Sequence, residues 1–123
     1  MYGKILVGTD GSATASEAVA RAVEVAKATG ATLTILTAGR ARAAQQVVDE
    51  AAARHADAGV EIDTVVDGRD AATALVEVAE AGDYDLLVVG NKGMTGASRF
   101  VLGSVPNKVS HHVGRSLLIV RTT

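Results

Sequence analysis

Leu86-Leu87-Val88-Val89-Gly90 is an uncharged run that reads as a β-strand covered on both faces. A strand with one wet face alternates apolar and polar residues. This one does not, so helices must lie above and below it. A glycine-rich loop follows, from Gly90 to Gly103, and then a short helix from about Val105 to His112. Upstream, Asp70 is placed to cap a helix from Ala71 to about Ala81, with Gly82 as its stop. Downstream, Ser116 to Arg121 forms a further apolar strand.

The same alternation runs back to the start of the chain. Lys4-Ile5-Leu6-Val7-Gly8 is a β-branched run closed by Thr9-Asp10-Gly11-Ser12. From about Thr14, Val19, Ala22, Val23 and Ala26 recur on one helical face. Thr14 and Glu17 have capping-box spacing, and Gly30 suits the helix end. Thr32 to Thr37 is a second strand, Arg40 to Ala58 a second helix ended by Gly59, and Val60 to Val66 a third strand. The polar alternation of that third strand places it at a sheet edge. Strands alternating with helices imply right-handed crossovers and a parallel sheet. The fold is α/β: a doubly wound, five-stranded parallel sheet with helices on both faces, built as one domain over residues 1–123. Such sheets take ligands beyond the carboxyl ends of their strands, where the strand order reverses.

Composition narrows the function. With 12 Lys+Arg against 14 Asp+Glu and only three aromatics, Tyr2, Tyr84 and Phe100, the chain lacks a basic or base-stacking surface, so nucleic acid is not an expected partner. No cysteine is present, which excludes disulfides, thiolate metal sites and cysteine nucleophiles. No apolar run could span a bilayer, and Met1-Tyr2-Gly3-Lys4 leads straight into a strand rather than a signal peptide. The expected compartment is the cytoplasm, with no membrane partner.

The loop after Val89 carries the chemistry. Glycines at 90, 93 and 103 let a ligand approach the backbone, and the helix opening at Ser104 offers free N–H groups and a positive dipole end. Lys92 and Arg99 add mobile positive charge, and Ser104 a hydroxyl. This is an anion cradle suited to phosphates. It is neither a P-loop nor a dinucleotide fingerprint, since the residues after the first strand read Gly8-Thr9-Asp10-Gly11-Ser12. Asp10 also suits an Asx turn closing its own loop. His55, His111 and His112 share no metal-type spacing with a carboxylate, and no nucleophile, base and orienting acid stand together, so neither a metal site nor catalytic residues are assigned.

Gly90-x2-Gly93-x9-Gly103-Ser104 resembles the adenine-nucleotide motif of the universal stress protein family. The opening strand and loop, Lys4 to Ser12, and the runs Asp85–Gly90 and Leu117–Arg121 are similar to that family's first, fourth and fifth strands. The resemblance implies strand order 3-2-1-4-5 and a pocket for ATP or a related nucleotide such as AMP or cyclic AMP, with Mg2+ accompanying ATP. Gly8, Thr9 and Asp10 would lie against the adenosine, and Ala38 would border the adenine. Gly90, Asn91, Lys92, Gly93, Arg99, Gly103, Ser104 and Val105 would surround the phosphates. It also implies a stress-response sensor or regulator with at most weak ATP hydrolysis, and a homodimer joined through residues 116–121. Two departures favour fewer phosphates: Pro106 removes an N–H near the cradle, and the segment Ala38 to Arg40 is too short to cover the nucleotide. The alternatives are a nucleotide-free dimeric scaffold, or a phosphorylatable receiver-like domain using Asp10 and Asp67.

Overall fold

Strands and helices alternate through the computed structural model, which describes residues 2–91 and 104–122. In order they are β1 (Lys4–Gly8), α1 (Ala13–Thr29), β2 (Thr32–Ala38), α2 (Ala41–Arg54), β3 (Ile62–Asp67), α3 (Ala71–Ala81), β4 (Leu86–Gly90), α4 (Ser104–His112) and β5 (Ser116–Val120). The strands form one parallel sheet in the order β3-β2-β1-β4-β5. β1 is central, pairing Ile5 with Leu33 on one side and with Leu86 on the other.

The uncharged strands divide their side chains between two cores. Ile5, Val7, Leu33, Ile35, Leu86 and Val88 point to the face covered by α1 and α2. Leu6, Leu36, Leu87 and Val89 point to the face covered by α3 and α4. Consecutive residues alternate between faces, and both faces are dry, so the sequence shows no alternation. α1 packs through Ala15, Ala18, Val19, Ala22, Val23 and Ala26, whose small side chains bring the helix close to the sheet. Thr34 and Thr37 are the polar residues buried within β2, and the Tyr84 hydroxyl donates to Thr34 at 2.8 Å. That bond removes the cost of an unpaired buried hydroxyl on either side.

Several element ends differ from the sequence expectation. Ser12, not the Thr14/Glu17 pair, caps α1: Ser12 is extended and its hydroxyl accepts the Ala15 N–H at 3.2 Å. The helix therefore begins at Ala13, too early for a box built on Thr14. α2 stops at Arg54 rather than Ala58, because the His55 N–H turns to the Ala52 carbonyl three residues back at 3.1 Å. Gly59 still provides a left-handed turn, with φ of 77°. β3 starts at Ile62 rather than Val60, where its ladder with Leu33 begins, and β5 ends at Val120, one residue before Arg121. Asp70 caps α3 as expected, accepting the Thr73 N–H at 3.1 Å.

Candidate functional site

The sheet order fixes where a ligand can sit. α1 leaves β1 toward one face and α4 leaves the loop after β4 toward the other, so a crevice opens between the carboxyl ends of β1 and β4. Gly8 and Gly90 line it, with Thr14, Ala15, Leu75, Val89, Val105 and Thr122. Its enclosed part is about 20 Å³, room for roughly one water. A larger ligand must therefore lie across the mouth, against the two glycine backbones. The floor is firm: a Cβ on Gly8 would come within 3.0 Å of Leu75.

The loop after β1 is held by its own side chains. Thr9 is buried, its N–H donating to Leu36 O at 2.9 Å and its hydroxyl accepting the Gly11 N–H at 3.1 Å. Asp10 Oδ1 accepts the Ser12 N–H at 2.9 Å, which is the Asx turn. Asp10 stays half-buried and faces a second depression of about 240 Å³ with Thr37, Ala38, Gly39, Arg40, Ala43, Ala44 and Val47. Ala38 thus borders the same space as Asp10.

Asn91 serves the fold. Its N–H donates to Val120 O at 2.8 Å, and its Oδ1 accepts the Thr122 N–H and hydroxyl at 2.9 and 3.0 Å. These bonds tie the end of β5 to the crevice wall. Ser104 opens α4, and Val105 lines the crevice just after it. Pro106 is buried in the first turn of α4, where a proline ring fits. Lys92, Gly93, Arg99 and Gly103 lie outside the described residues.

The acid that a receiver-like reading needs is already engaged. Arg69 holds both oxygens of Asp67, with Nε to Oδ1 at 3.0 Å and Nη2 to Oδ2 at 2.7 Å, and the Arg69 N–H adds a third bond to Oδ1 at 2.9 Å. The guanidinium bonds, then the backbone N–H, hold the Asp67 carboxyl down at about 2. Asp67 sits at the end of β3, aligned with Ala38 of β2, whereas Asp10 follows β1. Asp67 is a structural anion at the sheet edge.

The connection from β2 to α2 is as short as the sequence indicated. Only Gly39 and Arg40 separate Ala38 from Ala41, and Ala41 takes a φ of 62°. That left-handed conformation costs an alanine about 1 kcal/mol. Gly39 extends the ladder by donating to Asp67 O at 2.8 Å.

With this geometry established, sequence comparison gives its origin. The consensus of the universal stress protein family matches residues 1–53 and 38–121. The chain belongs to the universal stress protein family. The universal stress protein Rv1636 of Mycobacterium tuberculosis is 37% identical over 145 residues, covering 99% of this chain and 98% of that protein. Universal stress protein YxiE of Bacillus subtilis is 28% identical over 148 residues, covering 98% of this chain and all of the relative. Among solved structures, a universal stress protein in complex with cAMP is 39% identical, with a TM-score of 0.83 over 99% of this chain and 98% of that one. A universal stress protein from Archaeoglobus fulgidus, 20% identical with a TM-score of 0.80, shares the fold over 97% of this chain and 98% of its own. The alignment to Rv1636 spans 145 positions although this chain has 123 residues, and both halves of the family match use residues 38–53.

Proposed function

We propose that the chain is a cytoplasmic stress-response regulator that binds an adenine nucleotide across the carboxyl ends of β1, β2 and β4. The observation that carries this reading is the crevice lined by two glycines, Gly8 and Gly90, beside the start of α4, with Asp10 and Ala38 bordering a second depression beyond β1 and β2. The 39% identical relative in complex with cAMP supports the same ligand class. The adenosine lies along Gly8, Thr9 and Asp10, with the adenine beside Ala38. The phosphate lies among Gly90, Asn91, Lys92, Gly93, Arg99, Gly103, Ser104 and Val105. Pro106, with no N–H to give, favours AMP or cyclic AMP over ATP, and Mg2+ enters only with ATP. Among the described residues no base is placed beside the crevice to activate water, and the reading is one of nucleotide binding with at most weak hydrolysis of ATP. Mass spectrometry of the denatured, freshly purified protein is expected to find an adenine nucleotide. Titration calorimetry with AMP, cyclic AMP and ATP is expected to show saturable binding. Absence of heat with all three overturns the reading.

We also infer a homodimer through β5. This strand lies at the sheet edge, and Ile119 is the exposed large hydrophobic residue among those described, at 36% exposure. An edge strand presents unpaired N–H and C=O groups, and an apolar side chain beside them favours a second copy about a two-fold axis. Ile119→Lys is expected to release monomers in sedimentation velocity at micromolar concentration. An unmodified protein that already sediments as a monomer overturns the dimer.

A further inference from the structure

Arg40 stands at the rim of the depression that holds Asp10 and Ala38, and it is exposed. It is the N-cap residue of α2 but makes no side-chain cap bond. Its flat end lies along Gly68 in the turn after β3: a Cβ at Gly68 would meet Arg40 Nε at 3.3 Å and Cζ at 3.7 Å. Asp67, at the end of β3 just before Gly68, already has both oxygens bound by Arg69. Among the described residues no carboxylate bridges to Arg40. The guanidinium is thus positioned at the rim by glycine and left without an anion.

The space it borders suits a flat ring. Ala38, Ala43, Ala44 and Val47 form an apolar lining, and Asp10 is the acidic residue in it. The shortened connection contributes only Gly39 and Arg40 between β2 and α2, so no longer segment there overhangs the depression. A guanidinium is planar, stays charged, and stacks on aromatic faces, which an ammonium cannot do. We propose that Arg40 is a ligand-binding residue whose guanidinium stacks on the adenine ring and closes the depression over it. This rests on the adenine-nucleotide reading above and names the residue that grips the base.

The test compares adenosine and AMP by titration calorimetry on the full chain and on Arg40→Ala and Arg40→Lys. Arg40 is exposed and caps nothing, so both variants should keep the parent's circular dichroism and melting temperature. Stacking predicts that Arg40→Ala weakens adenosine and AMP by the same factor, about tenfold. It also predicts that Arg40→Lys is nearly as poor, because lysine keeps the charge and loses the plane. Unchanged affinity in Arg40→Ala overturns the proposal. A loss confined to AMP and restored by lysine also overturns it, since that pattern marks a phosphate contact. If the unmodified protein binds neither compound, the nucleotide reading itself fails, an outcome distinct from binding that ignores Arg40.

Discussion

Gly90→Val is expected to abolish adenine-nucleotide binding, with affinity reduced by about a hundredfold or more, while the protein remains folded. A Cβ at Gly90 meets Thr122 Cγ2 at 3.4 Å and the Ala18 Cβ at 3.9 Å, which are ordinary contacts. The backbone there is β-strand, where valine is favoured. The two added methyl groups must then point at Thr122 or into the mouth of the crevice, where the phosphate has to approach the chain. A hundredfold loss corresponds to ~2.7 kcal/mol, within reach of overpacking at a close contact. Gly90→Ala, with one methyl and no branch, should lose much less. Calorimetry of the two variants beside the parent makes the check. If the valine variant titrates like the parent, the ligand does not lie over Gly90.

Leu75→Ala is expected to destabilise the fold by about 3 kcal/mol, from a range of about 2–5 kcal/mol for such core truncations. Leu75 lies on α3, is fully buried, and packs in the core beneath Leu6, Leu36 and Leu87. Its methyl groups sit directly under Gly8, so the removed volume adjoins the crevice already present between β1 and β4. The cavity cannot collapse easily, because β1 is clamped on both sides by β2 and β4. Urea unfolding should show a lower midpoint with an unchanged slope. The same variant loosens the floor on which Gly8 rests, so nucleotide affinity should fall as well, though less than in Gly90→Val. A change in stability below 1 kcal/mol, on the order of an exposed substitution, contradicts the packing described.

The residues that define the elements did so through local chemistry. Leu86 to Val89 had to be a doubly covered strand because no polar residue interrupts it. Asp70 had to cap α3 because an acid preceded an apolar helical face and Gly82 followed it. The end of α2 was less legible, since Ala56 and Ala58 continue a helical composition through a stretch that the backbone leaves at His55. Ser12 is less legible as the cap of α1 because Thr14 and Glu17 offer a competing local pattern. Which hydroxyl caps a helix depends on where the preceding loop aims the chain, and that loop is shaped by Thr9 and Asp10 bonding back to it.

The candidate site divides in the same way. The glycines, the acid after β1 and the short β2–α2 connection are visible in order along the chain; the glycines give a phosphate cradle, and the adenine nucleotide enters through the family resemblance. The order β3-β2-β1-β4-β5 entered only through the family resemblance, because local patterning fixes which segments are strands but not which neighbours they choose. Contacts between residues distant in sequence decided the rest. Asn91 is fastened to Thr122, Asp67 is taken by Arg69, and Arg40 is left without a carboxylate partner among the described residues, resting on Gly68. Hydrogen bonds and charge pairs are selected by distance in space, and only the folded sheet sets those distances.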